Sequence, residues 1–199
     1  MSYALDGGGT GPGRERLAAQ VREHGLSVSA NKGPERAVPR PVYETDLAAL
    51  HRDGAAPFDY VLVTLKSVNT LDAVPALQRL PAGTVVVSFQ NGVKNAEQLR
   101  ASCPALRVFA GMFPFNVVQL PPTHFHQATT SPLMVEDAAP TRALAEALTA
   151  AGIPTVPHAD IAGVLHGKLL LNLNNAINAL SGLPLRSELG QWVRPRARR

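Results

Sequence analysis

Cysteine is almost missing from this chain. Cys103 stands alone among 199 residues, so neither an internal disulfide nor a cysteine-rich zinc site can form. That scarcity fits a reducing compartment. Long apolar runs are missing as well, and none approaches the ~20 residues that a membrane-spanning helix needs. The opening MSYALDGGGTGPG has neither a basic segment nor an apolar one, so it does not read as a signal peptide. A soluble, cytoplasmic protein with no membrane partner is expected.

Charge of one sign is also lacking over most of the length. Residues 1–185 carry 14 Lys/Arg and 14 Asp/Glu, and the net charge of +4 comes wholly from RSELGQWVRPRARR at 186–199. A nucleic-acid groove would draw basic residues from several elements of a fold, so a nucleic-acid partner is not expected. A frayed, solvated terminus is the plainer reading of the tail, ahead of weak polyanion binding.

Several signatures fail. GGGTGPG is not the G-x-G-x-x-G dinucleotide fingerprint in either register: begun at Gly7 it ends on Pro12, begun at Gly9 on Arg14. It lacks the Gly-Lys-Ser/Thr ending of a P-loop. No G-x-S-x-G is present, and Cys103 has no evident base partner, so an inert thiol is expected. His124 and His126 alternate on one strand face without a third ligand at suitable spacing, and no metal site is expected.

What is present is a run of strands and helices. RERLAAQVREHG reads as a short helix closed by Gly25, and KGPERAVPRP as a loop. DYVLVTLK is a β-rich run, TVVVSF a β-branched one and RVFAGMF a further strand, separated by the helical spacings of VNTLDAVPALQRL and VKNAEQLRA. Such alternation predicts a parallel sheet covered on both faces. HFHQATTSPLMVE should add an antiparallel edge. PTRALAEALTAAG predicts a helix between Pro140 and Gly152, IPTVPHAD a short strand and linker, and residues 161–180 one long helix.

Ligands of an open parallel sheet bind beyond the carboxyl ends of its strands. Lys66 follows one such end, and Asn91, in a QNG turn, follows the next. Read singly, these are a snorkelling strand-end lysine and an ordinary Asn-Gly turn. The long helix adds HGKLLLNLNNAINALSG, in which Lys168, Asn172, Asn175 and Ala179 share one arc. Leu169, Leu170, Leu173, Ala176, Ile177 and Leu180 form the opposite stripe, expected to face the core. The polar arc is either a solvated face or the wall of a site. Mixed charges, which an exposed face usually carries, are absent from it.

VLVTLKS, VVVSFQNGVKNAEQL and GKLLLNLNNAINALSGLPL, in this order and spacing, resemble ketopantoate reductase (2-dehydropantoate 2-reductase), a family of NADPH-dependent oxidoreductases. The resemblance runs from about Arg14 to Leu185. It implies an α/β fold: a Rossmann-like, mostly parallel sheet with incomplete first βαβ elements, then the start of an all-α C-terminal domain. The domains would be 1–157, for the dinucleotide, and 158–199, carrying the lysine helix. By the same resemblance Lys168 is the proton donor to the carbonyl oxygen of a 2-keto acid substrate. Asn172 and Asn91 bind substrate, Asn91 and Lys66 meet the NADPH cofactor, and Arg14 of Gly13-Arg14 meets its 2′-phosphate. Asn175, on the arc of Lys168, is added as a substrate-side candidate. A homodimer is left open.

The chemistry suits such roles. Hydride reduction of a ketone places negative charge on oxygen, and a donor must stand where that charge develops. An ammonium in a partly desolvated cleft has a lowered pKa and can polarise and protonate that oxygen. The resemblance also implies missing parts: the first strand, the phosphate loop, the first helix and most of the second strand, with the helical domain cut short. A truncated, non-catalytic fragment or binding module of the family is therefore the alternative reading, because loss of the pyrophosphate cradle weakens dinucleotide binding.

Overall fold

The computed structural model of the chain describes residues 3–5, 12–30, 33–38, 42–44 and 58–181. The strands are β1 Tyr3–Leu5, β2 Leu26–Ala30, β3 Arg36–Val38, β4 Val42–Glu44, β5 Tyr60–Val63, β6 Val85–Ser88, β7 Arg107–Met112, β8 Val117–Leu120, β9 His124–Gln127, β10 Leu133–Glu136 and β11 Thr155–His158. The helices are α1 Pro12–His24, α2 Val74–Leu77, α3 Asn95–Ser102, α4 Ala139–Ala150 and α5 Ile161–Ser181.

The centre of the fold follows from the VVVS run of β6, which is buried throughout. Side chains of a strand alternate between faces, so a continuous apolar run needs cover on both. Val86 packs with Leu99 of α3, Val108 of β7 and the start of α5. Val85 and Val87 pack on the other face with Val135 of β10 and Leu144 of α4. β5, β6 and β7 run parallel, with Val61 opposite Val86 and Val86 opposite Val108. The five-stranded sheet has the order β11-β10-β7-β6-β5. The mixed α/β architecture with parallel central strands is the one expected.

Some expectations are corrected. HFHQATTSPLMVE is not one antiparallel edge. Its half-buried first part, β9, lies in a separate four-stranded sheet of order β3-β2-β9-β8, parallel to β2. Its second part, β10, is antiparallel to β7 but lies inside the main sheet, with β11 outside it. Leu133 and Val135 are buried where the β9 residues are only half so, which separates the two halves energetically. KGPERAVPRP is not all loop: β3 pairs antiparallel with β2 between Pro34 and Pro39. β3 itself contains no proline and forms an edge of its sheet.

The segment 68–80 is not one helix either. It makes 3-10 turns at Ser67–Asn69 and Leu71–Ala73 before the short α2. Pro75 has no N–H to donate to the carbonyl of Leu71, so a continuous α-helix cannot form across it. A strand does precede Gly13-Arg14: β1 pairs parallel with β4, and α1 follows it. Three residues are too few to show a period in the sequence.

The largest correction concerns α5. Ile161 and Leu165 are buried against the sheet, but Leu170 is 69% exposed, Leu173 56% and Leu180 90%. The leucine stripe is thus not the core-facing one; Ala176 and Ile177 of that stripe have side chains outside the described residues. No helix among the described residues is long and apolar enough to cross a membrane.

Leu99 is wholly buried beneath the sheet. Leu99→Ala is expected to lower the free energy of unfolding by about 2–5 kcal/mol, read from urea denaturation of the two chains.

Candidate active site

The three parallel strands end on the same side, and their continuations build one cleft. Beyond β5 come Lys66 and Ser67, beyond β6 Gln90 and Asn91, and beyond β7 Phe113. Gly111 of β7 makes room at this edge. A Cβ there would lie 2.6 Å from the ring of Phe89, which itself lines the cleft. The fourth wall is α5, which contributes Gly167, Lys168, Leu171 and Asn172. The cleft encloses about 1310 Å³.

The spacing along α5 explains that wall. Ile161, Leu165, Lys168 and Asn172 are four, three and four residues apart and therefore share one helix face. Burial of Ile161 and Leu165 on the sheet turns this whole face inward. The lysine and asparagine then follow the same direction beyond the packed part. The ammonium of Lys168 donates to the backbone carbonyl of Phe113, at the carboxyl end of β7. Half-burial pushes the Lys168 pKa down from its ordinary value, since removal from water disfavours the charged form.

Of the residues singled out in the sequence, Lys66, Asn91, Lys168 and Asn172 line this one cleft. Lys66 and Asn91 are exposed and Asn172 half-buried. Asn175 lies in α5 and Arg14 in the first turn of α1, but both side chains are outside the described residues. Sequence reasoning missed Ser67, Gln90, Phe113 and Asn116, which also line the cleft. Ser67 and Gln90 adjoin Lys66 and Asn91, so adjacency was the available signal. Phe113 acts through its carbonyl, which no side-chain pattern reveals.

His124 and His126 lie on the second sheet and share Ser29. Its hydroxyl is 2.8 Å from Nε2 of His124 and 2.7 Å from Nδ1 of His126. Nδ1 of His124 lies 3.0 Å from Glu35. The Glu35 carboxyl titrates below its ordinary value, held down by the Ser27 hydroxyl and then by His124. Among the described residues no group of three or more His, Cys, Asp or Glu is placed to hold a metal ion.

The family model described as ketopantoate reductase PanE/ApbA matches residues 10–140. This chain belongs to the ketopantoate reductase family. A curated relative, the 2-dehydropantoate 2-reductase of Halobacterium salinarum, is 31% identical over an alignment of 168 residues that covers 81% of this chain and 54% of the relative. The chain thus spans about half the length of that relative. Among solved structures, a PanE/ApbA family ketopantoate reductase from Ralstonia eutropha JMP134 is similar with a TM-score of 0.74 and 26% identity, over 98% of this chain and 68% of the other. The 2-dehydropantoate 2-reductase of Geobacter metallireducens GS-15 shares the fold, with a TM-score of 0.71 and 21% identity over 91% of this chain and 66% of the other. The Rossmann-like reading of the sheet accords with these matches.

The ammonium of Lys168 is expected to titrate below the ordinary lysine value of 10.5, followed by the carbon shift of its Cε in isotope-labelled protein. The sign for stability follows from that direction. Charging a partly buried amine opposes folding, so the penalty is full below the folded-state pKa. It is relieved as pH rises from that value towards the unfolded-state one. An ordinary titration would contradict the half-buried placement.

Proposed function

We propose that the cleft reduces a 2-keto acid of the 2-dehydropantoate type with NADPH, and that Lys168 protonates the carbonyl oxygen. The observation that carries this reading is the Lys168 ammonium, half-buried beside the carboxyl ends of the parallel strands in the cleft that Asn91 lines. In this reading residues 1–157 serve the dinucleotide, and residues 158–199 begin the helical domain that closes over the substrate.

The residues present suit the nicotinamide end of the cofactor. The cleft volume of about 1310 Å³ accommodates that end and a small keto acid together, and Lys66 and Asn91 offer a cation and an amide at its mouth. Arg14 is proposed to meet the 2′-phosphate. NADPH, when bound, supplies the hydride. The chain's own residues do the remainder. Asn91, Asn172 and, further along the same helix face, Asn175 orient the keto acid by hydrogen bonds. Lys168 directs its N–H towards the oxygen that gains charge, where a preorganised donor lowers the barrier most. It transfers its proton there as the carbonyl carbon becomes tetrahedral. The cleft is open to water, from which the amine recovers its proton.

A lowered pKa serves this role, because a general acid works best when its pKa lies near the working pH. The placement of this chemistry in the cytoplasm, and a homodimeric assembly, belong to the same proposal. A solved relative from Staphylococcus aureus is described as a dimeric ketopantoate reductase.

The test is NADPH oxidation with ketopantoate by the 199-residue chain and by Lys168→Ala. The variant is expected to lose about 10²–10⁴-fold in kcat/KM, the usual contribution of a positioned acid. The wild-type rate should fall as pH rises through the lowered Lys168 pKa. Equal rates in the two proteins would remove the role of Lys168. Absence of any NADPH-induced rise in melting temperature would remove the cofactor from the reading.

A further inference from the structure

A row of hydrogen bonds, buried from Ser88 to Asn95 and part-buried to exposed where it reaches Ser67 and Asn91, joins the two strand-end loops that form the lips of the cleft. Ser88 Oγ donates to Oε1 of Gln90 at 3.0 Å, and Nε2 of Gln90 donates to Oγ1 of Thr70 at 2.8 Å. The single hydroxyl proton of Thr70 is shared between Oδ1 of Asn95, at 3.1 Å, and the carbonyl of Ser67, at 2.8 Å. The two Nδ2 hydrogens of Asn95 then diverge. One goes to Oγ of Ser67 at 3.2 Å and the other to the carbonyl of Asn91 at 2.7 Å. The Ser67 hydroxyl donates to that same carbonyl.

Donors and acceptors match in one direction along the whole row. Ser88, Gln90, Thr70 and Asn95 are all buried. A buried polar group without a partner costs on the order of 1–3 kcal/mol, so the row stands as a unit or is lost as one. Gly92 fits closely against it. Its φ of +99° favours glycine, and a Cβ there would lie 3.3 Å from Nδ2 of Asn95 and 3.5 Å from Oγ of Ser67.

We propose that Asn95 is a positioning residue. Its carboxamide clamps the Lys66–Ser67 loop to the Gln90–Asn91 loop, so that Lys66 and Asn91 face the cleft at a fixed separation. Asn95 reaches no substrate itself and acts through the loop that carries Asn91. The functional consequence rests on the reductase reading of the cleft, whereas the clamp does not. Only a carboxamide meets the requirement, since the residue must donate twice on one side and accept on the other. Asn95→Asp keeps the shape but sets an acceptor against the Asn91 carbonyl. Thr70→Val removes the hydroxyl that holds Oδ1 and leaves the carboxamide in place.

Two measurements on the 199-residue chain decide the matter. The first is amide hydrogen exchange, which needs no ligand. Both variants are expected to exchange at least about 10-fold faster at residues 64–70 and 89–95 together, with α4 and β10 unchanged. The second is kcat/KM for NADPH-dependent reduction of ketopantoate. Asn95→Asp should lower it about 10–100-fold, chiefly through kcat, yet by less than about 2-fold when added to Asn91→Ala. A merely structural role would instead give the same loss in both backgrounds. Unchanged exchange in both variants, loosening confined to one loop, or additive losses would overturn the clamp. If the wild-type chain does not oxidise NADPH, the reductase reading fails and the exchange data alone decide whether the clamp exists.

Discussion

The burial of Ile161 and Leu165 is the constraint on which the cleft depends. These two side chains lock the first turns of α5 onto the sheet. Fully burying such a side chain contributes about 1.5–3 kcal/mol. Because a helix is rigid over these lengths, fixing one face of its first turns fixes that face further along. Lys168 and Asn172 lie on that face, and so the contact that builds the core also aims the polar groups. Half-burial of the Lys168 ammonium follows from the same anchoring, as does its lowered pKa.

The sheet supplies the other half of the arrangement. β6 is covered on both sides, which holds β5, β6 and β7 in parallel register and brings their carboxyl ends to one edge. Three chemically different groups arise there at little cost to the core: the lysine after β5, the amide after β6 and, after β7, the Phe113 carbonyl that accepts from Lys168. The polar row through Gln90, Thr70 and Asn95 lies where the strands have ended, so backbone pairing within the sheet is undisturbed.

Much of this was legible in the sequence. The apolar runs, β-rich at DYVLVTLK and β-branched at TVVVSF, marked β5, β6 and β7, and the helical spacing with Pro140 and Gly152 marked α4. The polar arc of α5 was legible too, but its orientation was not. The leucines at 169, 170 and 173 look like a core stripe because leucine usually is one. What decided the matter was Ile161 and Leu165, which lie before the polar arc and in line with it. Short elements were illegible for a different reason. β1 and β3 have three residues each, and pairing with a neighbour, not intrinsic pattern, makes them strands. Asn95 was hidden because an asparagine at a helix start reads as an ordinary cap, whereas here its partners come from two loops.

The central claim is that the Lys168 amine faces a ligand-binding cleft rather than bulk water. Reductive methylation of the native chain, followed residue by residue with mass spectrometry, measures this directly. Lys94, which is exposed, serves as the internal standard. Lys168 should label more slowly than Lys94 in the free protein, and more slowly still with NADPH and a 2-keto acid together, while labelling of Lys94 stays unchanged. Equal labelling of the two lysines, with and without those ligands, would contradict the assignment of Lys168 to the cleft.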